Sequence, residues 1–157
     1  MKNLTNENYI TTAVNTYSDT VFRVAFQYVK NRADTEDVLQ EVFLTLCKKP
    51  PQFSVDDDRL KAWLIRVTIN KSKDFLRANK RRRALARNYQ PPSPTNPYGD
   101  VFEALDKLSE LDRNAVYLHY YEGYTAKEIA KILGGNERSI TKRIERARKK
   151  LKVFLEE

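Results

Sequence analysis

The sequence predicts an all-α protein made of two small helical domains joined by a proline-rich linker. Apolar residues recur at three- and four-residue steps through most of the 157 residues, and no segment shows the alternation of a strand. Only 4 Gly and 6 Pro are present, so long stretches contain no helix breaker. Four of the prolines fall between residues 89 and 97, which favours an extended linker there.

The first domain, residues 1–87, is predicted to contain three helices. The apolar period places the first helix at about residues 9–30. The second helix is expected to begin with Asp34 as its N-cap and to end at Pro50-Pro51. An acidic loop follows, and a long third helix begins near Arg59 and continues into a basic run.

Residues 88–100 form the predicted linker, and residues 101–157 the second domain. A short helix is expected to begin near Val101, because apolar residues follow it at helical spacing. Asp112 is predicted to cap the helix after that, since a carboxylate at the N-cap accepts free backbone N–H groups.

The end of the chain has the pattern of a helix-turn-helix. Thr125 and Glu128 have the spacing of a capping box, which predicts a helix over residues 126–133. Gly134-Gly135-Asn136 then turns the chain into a basic last helix, about residues 137–155. Two helices joined by such a turn, the second one basic, are typical of DNA-binding domains.

The positive charge of the chain is concentrated in two blocks. The net charge is +8, yet residues 59–87 contain eleven Lys and Arg against one acid, and residues 138–157 contain eight against three. The remaining segments are acidic overall. Two basic blocks of this kind favour a nucleic-acid partner that is contacted at two places.

The outer face of the last helix supplies the candidates for contact with duplex DNA. A helix fits the major groove, where side chains reach base edges while Lys and Arg neutralise phosphates. The candidates for bases are Thr141, Lys142, Glu145 and Arg146. The candidates for phosphates are Arg138, Ser139, Arg143 and Arg148, and the DNA-binding set is completed by Thr125 and Lys149. The alternative is a solvated basic helix that touches no DNA.

The third helix combines cations with aromatic rings, which suits single-stranded nucleic acid because bases stack on rings while cations follow the backbone. The predicted contacts are Phe53, Lys61, Trp63, Arg66, Asn70, Lys71, Lys73 and Arg77. Phe53 and Trp63 also fit a simpler interpretation as core residues. The second helix has an acidic polar face, which is either solvent surface or a protein-docking face.

Enzymatic and metal chemistry find no support in the sequence. Cys47 and His119 are the only residues of their types, so an internal disulfide cannot form and a zinc site would lack ligands. No phosphate-binding glycine loop or nucleophile motif is present. We therefore expect no enzyme activity, metal or cofactor. No apolar run suggests membrane insertion or a signal peptide, so a cytoplasmic location is expected.

Three segments in order resemble the sigma-70 family, specifically its extracytoplasmic-function (ECF) group. Residues 21–46, VFRVAFQYVKNRADTEDVLQEVFLTL, are similar to the part of region 2 that binds core RNA polymerase. Residues 60–83, LKAWLIRVTINKSKDFLRANKRRR, are similar to the part that melts and reads the −10 element. Residues 108–151 resemble region 4, the reader of the −35 element. Region 3 is absent between them, as in the ECF group.

The resemblance implies partners and residue roles. Core RNA polymerase would be bound by Asp34, Glu36, Asp37, Gln40 and Glu41. The loop of residues 52–59 and Asn70 would hold a base flipped from the −10 strand, and Lys71, Lys73 and Arg77 would follow its backbone. The last helix would enter promoter DNA at the −35 element. An anti-sigma factor is a further partner that many members of the group have.

The sequence departs from the family at the turn and on the last helix. Gly135 occupies a place that is usually aliphatic, Ser139 one that is commonly Thr, and Glu145 puts an acid on a DNA-facing position. Glu145 could accept a hydrogen bond from cytosine or pair with Lys149. Two other functions are weighed: a self-sufficient helix-turn-helix regulator, and a decoy that sequesters polymerase without opening a promoter.

Overall fold

A computed structural model describes residues 2–86, 88 and 100–156, with side chains described from residue 7 and from residue 103 in the two long ranges. The chain divides into two compact units, unit 1 (Met1–Thr95) and unit 2 (Asn96–Glu157). All regular structure in the described residues is helical, which confirms the all-α prediction. The predicted proline-rich linker falls almost wholly outside the described residues. No described helix has the length and apolar character needed to cross a membrane.

The described part of unit 1 contains three helices, α1 (Lys2–Val29), α2 (Arg32–Lys48) and α3 (Asp58–Leu85). Lys30 separates the first two, with a left-handed φ of 63° and its N–H donating to the Phe26 carbonyl. A residue in that conformation ends a helix because the next N–H groups can no longer reach their partners in the helical ladder. Helix α1 begins earlier than the predicted position near Tyr9.

The N-cap predicted for α2 was wrong. Asn31, not Asp34, caps the helix: its side chain accepts a hydrogen bond from the Asp34 N–H over 2.9 Å. The Asn31 side-chain amide also donates to the Asp34 carboxylate over 2.7 Å. Asp34 therefore lies inside the first turn, where its charge favours the helix N-terminus. Asn31 is buried, so these bonds also satisfy polar atoms that water cannot reach.

The core of unit 1 lies where the three helices meet. Leu46 of α2 and Leu60, Leu64 and Ile65 of α3 are fully buried, together with Val21 of α1. Within α3, Leu60 and Leu64 are four residues apart and so share the inner face that the apolar pattern predicted. Burial of each such side chain contributes about 1.5–3 kcal/mol to the free energy of folding. The core thus fixes α2 and α3 side by side with their polar faces outward.

Unit 2 contains α4 (Asp100–Asp106), α5 (Glu110–Val116), α6 (Ala126–Leu133) and α7 (Glu137–Glu156). Helix α5 continues directly into a π-helical turn, Tyr117–Tyr121. The prediction of a helix over residues 126–133 is confirmed, including its capping box.

The N-cap predicted for α5 was also wrong. Ser109 caps this helix, and its hydroxyl accepts a hydrogen bond from the Asp112 N–H over 3.3 Å. Asp112 lies in the first turn and is buried. A buried carboxylate needs partners, because leaving its charge unpaired would cost several kcal/mol, about the penalty for taking one ion out of water. Its partners come from α7.

Candidate nucleic-acid and protein interfaces

The turn before α7 is shaped by two glycines. Gly134 and Gly135 have φ values of 91° and 97°, a region that other residues rarely adopt. A Cβ atom at Gly135 would meet no other atom within 4 Å, so conformation rather than space favours glycine there. This accounts for glycine at the position where the sequence resemblance led us to expect an aliphatic residue. Asn136 then caps α7, its side chain accepting from the Ser139 N–H over 2.9 Å.

The first turns of α7 form a shallow, open depression of about 770 Å³. Its walls are Asn136, Glu137, Arg138, Thr141 and Lys142. The Thr141 hydroxyl donates to the Glu137 carbonyl over 2.9 Å and keeps its lone pairs as acceptors. Arg138 and Lys142 are exposed. The start of α7 therefore presents cations and a hydroxyl acceptor at the end of the helix that would enter a groove first.

Two arginines of α7 are bonded to the buried acid of α5. Arg143 Nη1 lies 3.1 Å from Asp112 Oδ1, and Arg146 Nη2 lies 3.3 Å from the same atom. The Asp112 side chain is 4% exposed, whereas those of Arg143 and Arg146 are 30% and 57% exposed. Both arginines thus orient α7 on α5. Sequence reasoning missed this role because the partners are 31 and 34 residues apart.

The remaining DNA candidates of unit 2 are spread around the same helix and its neighbour. Glu145, Arg148 and Lys149 are exposed on α7, and Ser139 is half-buried. Lys149 forms no ion pair with Glu145 in the described part of unit 2. Thr125 uses its hydroxyl in the capping box, where it accepts from the Glu128 N–H over 3.2 Å. The hydrogen bond that the Thr125 N–H donates lowers the pKa of the Glu128 carboxyl.

In unit 1, an acidic loop (residues 52–57) precedes α3 and is held by specific contacts. The Tyr17 hydroxyl donates to the Val55 carbonyl over 2.6 Å. Asp57 caps α3 by accepting from the Arg59 N–H over 2.9 Å, and its carboxylate also pairs with the Arg59 guanidinium at 2.7 Å. These hydrogen bonds from Arg59 lower the pKa of Asp57. The guanidinium also lies over the Phe53 ring, 4.7 Å from its centroid.

The −10 candidates on α3 lie on its solvent side to different degrees. Arg66, Asn70 and Arg77 are exposed, and Arg77 pairs with Asp74 over 2.6 Å. The half-buried candidates are Phe53, Lys61, Trp63, Lys71 and Lys73. Trp63 and Phe53 are thus partly accessible rather than full members of the core.

The acidic face of α2 adjoins the basic face of α3. A groove of about 420 Å³ between the helices is lined by Asp37, Gln40 and Glu41 from α2 and by Lys71 and Phe75 from α3, among others. Asp37, Gln40 and Glu41 are exposed.

The other two candidates of α2 are engaged locally. Glu36 pairs with Arg32 over 3.0 Å, and Asp34 is held by Asn31. Within the described residues, no three His, Cys, Asp or Glu side chains are grouped as a metal site requires.

Comparison with known families matches both units. Residues 13–82 match Sigma-70 region 2, and residues 98–151 match Sigma-70, region 4. The chain belongs to the sigma-70 family, in its extracytoplasmic-function group. That membership gives it the role of an RNA polymerase sigma factor in transcription initiation.

Individual relatives agree with this assignment. RNA polymerase sigma factor SigV of Bacillus subtilis is 28% identical, over 98% of this chain and 95% of its own length. ECF RNA polymerase sigma factor SigE of Mycolicibacterium smegmatis is 31% identical, over 90% of this chain, which spans only 60% of that relative.

Two solved structures share the fold. The sigma factor RpoE in complex with the anti-sigma factor NepR, from Bartonella quintana, has a TM-score of 0.75 at 21% identity and covers 99% of this chain and 98% of its own. CnrH in complex with the cytosolic domain of CnrY has a TM-score of 0.68 at 25% identity, over 94% of this chain and 87% of its own.

Proposed function

We propose that this chain binds core RNA polymerase, recognises the −10 and −35 promoter elements, and promotes promoter melting. In this proposal the chain is not an enzyme, and the polymerase supplies all catalysis. The observation that carries it is the groove in unit 1, where Gln40 and Glu41 of an acidic face adjoin Lys71 of a basic one. A self-sufficient regulator needs neither face.

The acidic face of α2 is the proposed docking surface for core polymerase. Its charge would repel the phosphates of DNA, so a protein partner is favoured. Asp37, Gln40 and Glu41 are exposed there, and among the described residues their side chains form no ion pair. Asp34 and Glu36 support the face from its edge, where each already has a local partner.

The α3 surface and the acidic loop are the proposed site for the melted −10 strand. Phe53 and Trp63 offer partly accessible rings, and Lys71 and Lys73 lie on the same helix as Asn70. Stacking on a ring contributes about 1–3 kcal/mol per base, which helps to offset the cost of opening the duplex. The Lys61, Arg66 and Arg77 side chains would add contacts to phosphates.

Helix α7 is the proposed reader of the −35 major groove. Thr141, Lys142 and Arg138 line the open depression at its start, and in this proposal Thr141 and Lys142 contact base edges while Arg138 contacts a phosphate. Arg143 and Arg146 would orient the helix through Asp112 and reach phosphates with their exposed edges. Proposed contacts further along α7 are Glu145, Arg148 and Lys149, and Thr125 and Ser139 would lie beside the DNA groove.

An anti-sigma factor is a further proposed partner. The support comes from the family, together with the CnrH structure of similar fold, which holds the cytosolic domain of a second protein, CnrY. Binding of such a partner to unit 1 or unit 2 would compete with core polymerase, and co-purification from the native cell would reveal it.

Titration of core polymerase onto the labelled chain, without DNA, tests the proposed docking face. The wild-type chain should bind saturably, and the triple variant Asp37→Ala, Gln40→Ala, Glu41→Ala should lose most of its affinity while remaining helical. A matched control removes three exposed polar side chains of α1 instead, Thr12, Asn15 and Asp19. Equal affinity of the α2 variant and the control would contradict the docking assignment. A folded wild-type chain that ignores core polymerase would favour a stand-alone DNA-binding regulator.

A further inference from the structure

The acidic loop of unit 1 contains no helix or strand, yet side-chain contacts hold both of its ends. At its far end Asp57 caps α3 and holds Arg59, whose guanidinium lies over Phe53 near the loop's start. Within the loop the Asp57 N–H donates to the Ser54 carbonyl over 3.1 Å. These contacts close the loop onto α3, but all of them lie within residues 53–59. None of them fixes the loop against the rest of unit 1.

Tyr17 supplies that missing connection from a different helix. It lies on α1, 38 residues before the carbonyl of Val55 to which its hydroxyl donates over 2.6 Å. Burial raises the pKa of Tyr17, and the neighbouring carboxylates Asp58, Asp56 and Asp57 raise it further. The phenol therefore stays protonated and remains a donor at neutral and mildly alkaline pH.

We propose that Tyr17 is a positioning residue for recognition of the melted −10 strand: its hydrogen bond to Val55 holds the acidic loop in the conformation that accepts an unpaired base. This inference rests on the proposed function of the loop. A flexible loop loses conformational entropy when it binds, and a loop already held in its bound conformation avoids that cost. Tyr17 itself need not touch DNA.

Tyr17→Phe is the direct test, because it removes the hydroxyl and keeps the ring that packs on unit 1. A matched control exists in the same helix: the Tyr9 hydroxyl is buried and has no hydrogen-bond partner among the described residues, so Tyr9→Phe removes the same group without removing a hydrogen bond to the loop. The probe is a fluorescent single-stranded oligonucleotide, selected from a randomised pool by wild-type holoenzyme. Its affinity is measured for holoenzymes assembled from each variant.

Tyr17→Phe should weaken oligonucleotide binding about three- to tenfold, the range expected for loss of one partly buried hydrogen bond. It should also reduce the preference between bases at the most selective position of the oligonucleotide. Core polymerase affinity should stay near that of Tyr9→Phe. Backbone amides 53–57 should exchange faster with deuterium in the Tyr17 variant only.

Each other outcome overturns a distinct part of the account. If Tyr17→Phe and Tyr9→Phe bind the oligonucleotide equally well and with the same base preference, the positioning role is wrong while the proposed function stands. The positioning role also fails if loop exchange is unchanged by Tyr17→Phe. A wild-type holoenzyme that selects no single-stranded sequence would instead contradict the proposed −10 function itself.

Discussion

The acidic loop of unit 1 and helix α7 of unit 2 are fixed by contacts of opposite kinds. The loop depends on a neutral hydrogen bond from Tyr17 and on an exposed ion pair between Asp57 and Arg59. Helix α7 depends on one buried carboxylate, Asp112, that is shared by two arginines. Exposed ion pairs contribute little to stability and are screened by salt. Removal of the charge of a buried carboxylate, in contrast, leaves the positive charges of its partners unpaired. Unit 2 should therefore be the more sensitive of the two to loss of a single charge.

Among the substitutions considered, removal of the Asp112 charge is expected to have the largest effect on the stability of unit 2. Asp112→Asn should destabilise unit 2 by about 1–3 kcal/mol, since a neutral amide cannot compensate two guanidinium groups. The effect falls in that range because both arginines still reach water. Urea unfolding of the chain measures the change. Glu110→Gln is the matched control, as it removes an acid from the same first turn of α5 and loses the same helix-dipole contribution.

The same variant should weaken duplex binding without changing sequence preference. If Asp112→Asn leaves unfolding and −35 affinity at the level of Glu110→Gln, the buried acid does not orient α7, and the contrast between the units disappears.

Substitutions on α7 can separate residues that contact bases from residues that orient the helix. Lys142→Ala should relax the preference at one −35 position by about 1–3 kcal/mol, as expected for loss of a contact to a base edge. Arg146→Ala should weaken binding across all sequences alike, because its guanidinium is bonded to Asp112. Holoenzyme binding to a set of single-base −35 variants measures both. Altered preference at one position in Arg146→Ala would instead make Arg146 a reader of bases.

A smaller and pH-dependent effect is expected at the capping box of α6. Thr125→Ala should cost about 0.5–2 kcal/mol, the usual range for loss of an N-cap side chain. The folded pKa of Glu128 is lowered, mainly by the hydrogen bond from the Thr125 N–H. Its contribution to stability is therefore present above the pKa of the unfolded chain and is lost as pH falls through the folded value. Thermal unfolding between pH 7 and pH 3 should show that Glu128→Gln loses less stability on acidification than the wild-type chain does. Identical pH profiles of the two proteins would contradict this.

Three of the capped helices show what local sequence can and cannot predict. In each, an Asn, Ser or Thr cap precedes an acid by three residues: Asn31 with Asp34, Ser109 with Asp112, and Thr125 with Glu128. Asp is itself a good N-cap, so the first two acids were mistaken for the cap. Glu is a poor one, so the third cap was predicted correctly. The sequence thus predicted a cap near the start of each helix, but placed two of the caps three residues too late in the chain.

Contacts between distant residues lay beyond sequence reasoning. The apolar period predicted the helices and their inner faces, because each depends on neighbours three or four residues away. The bonds from Tyr17 to Val55 and from Arg146 to Asp112 join residues 38 and 34 positions apart. Such pairs depend on how the helices pack. The assignments to core polymerase and to the −10 and −35 elements stay predictions that the experiments above address.

Promoter-specific transcription by the reconstituted holoenzyme is the decisive measurement for the proposed sigma-factor function. Core polymerase with the wild-type chain would transcribe a pool of randomised duplexes, and the templates of the resulting transcripts would be sequenced. We expect transcripts that begin a fixed distance downstream of two conserved elements, and none from core polymerase alone. If the chain binds core polymerase tightly yet yields no such transcripts, the proposed function is wrong and a decoy that sequesters polymerase is favoured.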